Sequence, residues 1–134
     1  MRNFFMAFTL GMCFLSADRA SSAADGDQPA VIRAGMIGLD TSHVPAFTKI
    51  FNDKSANDLF AKIEIVAAYP GGTQLPASRD RVEKFTQQVR EMGVEIVPTI
   101  PELLERVDVI LLESVDGRIH FEEAAEVILA GKPL

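Results

Sequence analysis

Residues 107–131 read VDVILLESVDGRIHFEEAAEVILAG, and this stretch decides the class of fold. Residues 107–115 form a near-continuous apolar run, which is typical of a strand buried on both faces. After a short polar loop, residues 120–130 have helical spacing, and Gly131 is expected to end the helix. We expect the inward positions of this helix to be Phe121, Ala124, Ala125, Ile128 and Leu129, with Glu122 and Glu123 solvated.

The same alternation runs through the rest of the chain from residue 31. Strands are predicted at residues 31–39, 63–69, 94–97 and 107–115, and helices at residues 44–52, 78–92 and 120–130. Ser42 and Ser78 are expected to cap two of these helices, and the spacing from Thr99 to Glu102 predicts a capping box before a further short helix. Strands without a polar face, joined by helices, predict an α/β fold. We expect a doubly wound, Rossmann-like parallel sheet of at least four strands, cut at Pro133 within a fifth strand.

Composition limits the size and the partners of the protein. The 134 residues are enough for one domain, with 48% hydrophobic and 24% charged residues. The chain has 13 basic and 19 acidic residues, for a net charge of −6. Since nucleic-acid binding depends on neutralising phosphates, this balance argues against a nucleic-acid partner.

The first 24 residues have the pattern of a secretory signal peptide. Arg2 precedes an uncharged apolar run at residues 4–15 (FFMAFTLGMCFL), and residues 16–24 are mostly small. The apolar run would make about 18 Å of helix, which is short of a bilayer core of roughly 30 Å. A membrane anchor and a buried helix of the fold are the alternatives. We expect Sec-type export, cleavage after Ala24, a tether at residues 25–30 and a folded domain at residues 31–134, in the periplasm or outside the cell.

Two segments together resemble a known family. Residues 32–39 open like the first strand of a dinucleotide-binding unit. Residues 107–112, followed by His120 and an Ala-rich helix that ends at Gly131-Lys132, resemble the N-terminal domain of the Gfo/Idh/MocA oxidoreductases. The resemblance covers residues 31–134. It implies hydride transfer with NAD or NADP on a sugar, a polyol or a related compound, a C-terminal α/β domain over the active site, and a homo-oligomer for the full-length form.

The phosphate-binding loop departs from the family pattern. On the G-x-G-x-x-G motif, Gly38 keeps the first glycine, and Asp40 replaces the second, which normally lets the backbone touch the pyrophosphate. We expect the Asp40 carboxylate to face that anion. Ser42, His43 and the positive helix end are still able to attract a phosphate. Tyr69 stands where a ribose-binding acid is expected, so it would bond the ribose, stack on the adenine, or pack under the following loop.

The catalytic lysine of the family has no counterpart in this chain. Lys132 matches an earlier Gly-Lys pair and is expected to complement the helix dipole. The proton-transferring lysine implied by the resemblance would lie beyond Leu134, and the substrate domain is missing. We therefore assign no catalytic residue, leave open whether the chain is an enzyme, and expect no turnover.

Rossmann-like topology predicts where the chemistry-bearing side chains meet. The first and fourth strands are neighbours in that topology, and ligands bind between their carboxyl ends. The candidate cofactor-binding residues are Gly38, Asp40, Thr41, Ser42, His43, Tyr69, Glu113, Ser114, Asp116 and His120. Three interpretations are open: a cofactor and substrate site, a metal or sugar-hydroxyl site, or helix caps with solvated charges. We assign no metal ligand. The corresponding functions are an NAD(P)-binding oxidoreductase domain, or a non-catalytic exported domain that binds a sugar or a metal.

Overall fold

A computed structural model describes residues 30–55 and 60–134. The predicted signal peptide, most of the tether and residues 56–59 lie outside the described residues. The strands are β1 (Ile32–Ile37), β2 (Ile63–Tyr69), β3 (Glu95–Ile96) and β4 (Val109–Leu112). The α-helices are α1 (His43–Phe51), α2 (Pro76–Glu91), α3 (Ile100–Leu104) and α4 (His120–Leu129), and a 3-10 turn covers Phe60–Lys62.

The four strands form one parallel sheet in the order β3-β2-β1-β4. β1 lies between β2 and β4, so the order of strands reverses at β1, as it does in doubly wound folds. This confirms the predicted α/β class and the parallel, Rossmann-like arrangement. No helix among the described residues is both long and apolar enough to cross a membrane.

The core has two layers because the strands are covered on both faces. Met36 and Val44 belong to the layer under α1 and α2, together with Val89. Ile37 and Leu103 belong to the layer that includes α3 and α4. Neighbouring residues of β1 thus point to opposite layers, and both side chains at its carboxyl end are fully buried.

The helix caps are only partly as predicted. The cap at Thr99 is confirmed, since its hydroxyl accepts from the Glu102 backbone N–H at 3.3 Å, and the same hydroxyl donates to the Glu102 carboxylate at 3.1 Å. Ser42 precedes α1, but its side chain makes no capping bond, and the His43 N–H instead donates to the Thr41 hydroxyl at 3.3 Å. Ser78 is not a cap, because Pro76 starts α2 one half-turn earlier and leaves the serine buried.

The predicted inward face of α4 is wrong. Phe121, Ile128 and Leu129 are 83%, 65% and 87% exposed, whereas Glu123 and Val127 are buried. His120, Glu123 and Val127 share one face by their spacing of three and four, and this face lies on the sheet. The helix therefore packs the face that carries Glu123 and Val127 against the sheet. Its exposed apolar residues Phe121, Ile128 and Leu129 form a stripe that points away from the sheet.

The segment after α4 turns back onto the free side of β4. The Ile110 N–H donates to the Pro133 carbonyl at 3.0 Å, which places Pro133 where a fifth parallel strand would run. The Lys132 ammonium donates to the Val107 carbonyl at 2.7 Å. Lys132, which was predicted to complement the α4 dipole, also fastens this segment to the chain just before β4.

Candidate functional site

The carboxyl ends of β1 and β4 meet at Gly38 and Ser114. Gly38 has a positive φ of 85°, and a Cβ atom on it would lie 2.6 Å from the Cα atom of Ser114. Only glycine therefore fits this position, for the backbone conformation and for the space. The first glycine of the motif serves here to bring β1 against β4.

Asp40 faces into the protein. Its side chain is buried, and its Oδ1 atom accepts a 3.1 Å hydrogen bond from the Val115 backbone N–H at the end of β4. Its Oδ2 atom is buried and has no hydrogen-bond partner among the described residues. The Asp40 carboxylate, which was expected to face the pyrophosphate, thus bonds instead to a donor on the inner side at the end of β4.

Ser114 connects the end of β4 to α4. Its hydroxyl donates to the Glu123 carboxylate at 2.7 Å, and its carbonyl is paired with the His120 Nε2 atom. Glu123 is buried, so the prediction that it is solvated is wrong. Burial raises the pKa of Glu123, and the nearby Asp40 and Asp116 raise it further, against the lowering effects of Ser114 and His120.

Asp116 lies in the loop between β4 and α4 and is held by Arg118. Two guanidinium N–H groups donate to its two carboxylate oxygens at 2.8 and 2.7 Å, and the Arg118 backbone N–H also donates to it at 3.2 Å. These bonds, with a smaller effect from the Gln74 backbone, hold the pKa of Asp116 at about 2. The Arg118 guanidinium is therefore already paired with a buried carboxylate of the same chain.

The outer part of the site pairs the start of α1 with the end of β4. The His43 Nδ1 atom lies 3.6 Å from the Glu113 Oε2 atom, and the His43 ring stacks on Phe47. Burial raises the pKa of Glu113, and His43 opposes that rise. Ser42 is exposed and Thr41 is half-buried beside this pair.

Tyr69 ends β2 on the opposite side of β1. Its ring packs against the core layer of α3 and α4. It also borders a polar cleft of about 250 Å³ that is lined by Ile100, Ile119 and the glutamates at positions 122, 123 and 126. The packing role considered for Tyr69 is thus present, whereas its contact with a ribose or an adenine stays a prediction.

Residues 70–75, the β2–α2 loop, cross the crevice between β1 and β4. Gly72 and Thr73 face Asp40 and Ser114 from this loop. The gap between these residues and their neighbours has no room for a water molecule. The loop therefore covers the Asp40 carboxylate and closes the crevice from above.

The closed crevice does not fit a dinucleotide. Ligand pockets measure roughly 300–1,000 Å³, and the space beside Asp40 does not admit one water molecule. The Asp40 carboxylate lines this space and would repel a pyrophosphate, and Arg118 is bonded to Asp116. In this conformation the residues present hold no place for a pyrophosphate between β1 and β4.

The sequence correctly predicted that the carboxyl ends of β1 and β4 meet at the site, but two parts of the site were not predicted. Among residues 30–55 and 60–134, no group of three or more His, Cys, Asp or Glu side chains is placed to hold a metal ion. The site also includes Glu123 and the β2–α2 loop. The spacing of three from His120 to Glu123, and of four to Val127, is the signal that places Glu123 on the buried face.

Comparison with known proteins identifies the fold. No protein-family model matches the sequence, and no curated protein is similar to it. The chain is similar to UDP-N-acetylglucosamine 3-dehydrogenase GnnA from Acidithiobacillus ferrooxidans in two crystal forms, each with a TM-score of 0.53 and 17% identity over 75% of this chain. It is also similar to the dehydrogenase MviM from Clostridium difficile, with a TM-score of 0.49 and 24% identity over 75% of this chain.

The chain spans about a quarter of these proteins, namely 26% and 27% of the two GnnA chains and 28% of MviM. The fold assignment rests on GnnA, the neighbour whose TM-score exceeds 0.5. The structural neighbours are Gfo/Idh/MocA dehydrogenases, so the predicted resemblance is confirmed at the level of fold. This chain has the Rossmann-like fold found in the dehydrogenases of the Gfo/Idh/MocA family.

Proposed function

We propose that this chain is the Rossmann-like domain of an exported Gfo/Idh/MocA-like oxidoreductase that uses NAD or NADP on a carbohydrate-like substrate. The observation that carries the proposal is the sheet order β3-β2-β1-β4, which places Gly38, His43 and Glu113 at the switch between β1 and β4. Ligands of doubly wound sheets bind at that switch. The likeness to GnnA, a dehydrogenase of a sugar nucleotide, supports the substrate class.

The ten residues predicted from the sequence remain the proposed surroundings of the cofactor. Tyr69 borders the cleft on the β2 side, and Thr41 and Ser42 lie at the positive end of α1. Hydride transfer would be the chemistry of the nicotinamide. Because the resemblance places the proton-transferring lysine beyond Leu134, we propose that these 134 residues alone do not turn over a substrate.

The test is calorimetric titration of the purified chain with NAD and with NADP. A dissociation constant in the micromolar range for either one would support the proposal. Substrate-dependent oxidation of NADH or NADPH by the same preparation would overturn the proposed inactivity. The mass of the protein recovered after expression with its own N-terminus tests export, since cleavage after Ala24 removes residues 1–24.

A second candidate is a non-catalytic exported domain that binds a sugar or a metal in the crevice. It is favoured by the Asp40 Oδ2 atom, a buried acceptor with no donor among the described residues, which a sugar hydroxyl would satisfy once the β2–α2 loop had moved away. Titration of neutral monosaccharides and of divalent cations separates the candidates. A saturable response to one of these, with none to NAD or NADP, would favour this second function.

A further inference from the structure

We infer that the β2–α2 loop is a built-in closure of the crevice, and that a dinucleotide binds only after this loop has moved off Gly38. The identity of the ligand, a dinucleotide, rests on the proposed function. The closure itself is argued from the contacts of residues 70–75. A loop of this kind makes cofactor binding a competition between the ligand and a segment of the same chain.

The first contacts extend the pairing of β1 and β2 beyond the strands. The Gly38 N–H donates to the Tyr69 carbonyl at 3.1 Å, and the Leu39 N–H donates to the Pro70 carbonyl at 2.9 Å. These bonds draw the start of the loop over the carboxyl end of β1. Two backbone donors of the glycine motif are therefore already used inside the protein.

The loop then reaches α4 through Gly71. Gly71 has a positive φ of 72°, and a Cβ atom on it would lie 3.1 Å from the Gly38 Cα atom and 3.4 Å from the Glu123 Oε1 atom. The two glycine backbones thus touch directly, with α4 on the far side. Such a close approach is possible because Gly71 carries no side chain.

The far end of the loop is attached near Asp116. The Gln74 backbone contributes to lowering the pKa of Asp116, which places it beside that carboxylate. Thr73 is buried, and its hydroxyl accepts the Leu75 N–H at 3.2 Å. Pro76 then starts α2. The closure is therefore held by the Gly71 contacts at one end and by the buried Thr73 at the other.

The loop is also built to open. A Cβ atom on Gly72 would meet no atom within 4 Å, so the backbone has space at this point, and two adjacent glycines allow a wide range of φ and ψ. Opening gives water access to Asp40 Oδ2 and to the Glu123 carboxylate. Because hydration of buried carboxylates is favourable, it offsets part of the cost of the broken hydrogen bonds.

The test uses two variants, each with a matched control. Gly71→Ala adds a Cβ atom that would contact Gly38. Its control is Gly93→Ala, because Gly93 also has a positive φ, of 91°, but a Cβ atom there would meet no atom within 4 Å. Asp116→Asn removes the charge from the carboxylate next to the far end of the loop. The control for Asp116→Asn is Asp108→Asn. Asp108 also has a pKa of about 2, because Arg33 is paired with it, but it lies at the opposite end of β4.

The two readouts are hydrogen exchange of the Leu39 amide and calorimetry with NAD. We expect the Leu39 amide to be protected in the unchanged chain, and to exchange at least tenfold faster in Gly71→Ala and in Asp116→Asn. We expect the same two variants to bind NAD at least tenfold more tightly than the unchanged chain. Both controls should leave exchange and affinity as they were.

Three results would contradict either the closure of the crevice or the proposed dinucleotide function. A Leu39 amide that exchanges as fast as an unstructured peptide in the unchanged chain would overturn the closure. The closure would also be overturned if NAD bound to the unchanged chain without changing the exchange rate of the Leu39 amide. Faster exchange in the variants with no NAD binding would support the closure and overturn the proposed dinucleotide function.

Discussion

The Ser114 hydroxyl donates a 2.7 Å hydrogen bond to the buried carboxylate of Glu123. This bond ties the carboxyl end of β4 to the first turn of α4, directly under the β2–α2 loop. Ser114 also touches Gly38, so one serine contacts the end of β1, the start of α4 and the wall of the crevice. The stability of this region and the chemistry of the site thus depend on the same few atoms.

Replacing Glu123 with Gln should stabilise the chain at neutral pH. Burial raises the pKa of Glu123 above its ordinary value of 4.5, so the folded state binds the proton more tightly than the unfolded state. The charged form therefore costs stability above the raised pKa, and the cost disappears below about pH 4.5. Urea unfolding of Glu123→Gln should show a gain at pH 8 that shrinks at pH 4. At pH 4 Asp108 and Asp116, with pKa values of about 2, stay charged.

The control for that experiment is Glu122→Gln, one residue away on the exposed side of α4. It should show no comparable gain at pH 8. Equal pH dependence in the two variants would contradict the assignment of the effect to the buried carboxylate.

Gly38→Ala should destabilise the chain by about 3 kcal/mol, from the positive φ and the overlap with Ser114 combined. Gly93→Ala shares the positive φ but meets no atom, so it should cost only about 1 kcal/mol. Urea unfolding at one pH measures both free energies. Similar losses in the two variants would mean that the contact with Ser114 contributes nothing.

Asp40→Ala should cost about 2 kcal/mol, because it leaves the Val115 N–H without its acceptor. Asp40→Asn keeps an oxygen for that N–H and should cost less than Asp40→Ala. The comparison is made by urea unfolding at pH 7. A larger loss in Asp40→Asn than in Asp40→Ala would show that the Val115 bond is not what Asp40 supplies.

The outward stripe of α4 should promote self-association. Phe121→Gln combined with Leu129→Gln changes two side chains that are 83% and 87% exposed, so stability should stay within about 0.5 kcal/mol of the unchanged chain. Sedimentation velocity at rising concentration should show less association in this double variant. Glu126→Gln, an exposed polar position on the same helix, is the control and should leave association unchanged.

The elements of the fold could be predicted from the sequence because the periodicity of buried strands is local. The β1–β4 neighbourhood followed from topology, and it brought Gly38, Asp40 and Ser114 to one edge. The orientation of α4 could not be predicted from its apolar residues. Glu123 is buried through partners supplied by β4 and by the β2–α2 loop, and those partners are distant in sequence. The direction of the Asp40 side chain depended likewise on a backbone donor at Val115, 75 residues away.

The central position of β1 has a consequence for synthesis. One side of β1 pairs with β2 soon after both are made, but its other side waits for β4, and the Arg33–Asp108 contact joins residues 75 positions apart. Until residue 112 has left the ribosome, the middle strand of the final sheet is an edge strand, with its backbone groups on that side unpaired. Nascent chains of intermediate length should therefore be the form of this protein most dependent on chaperones.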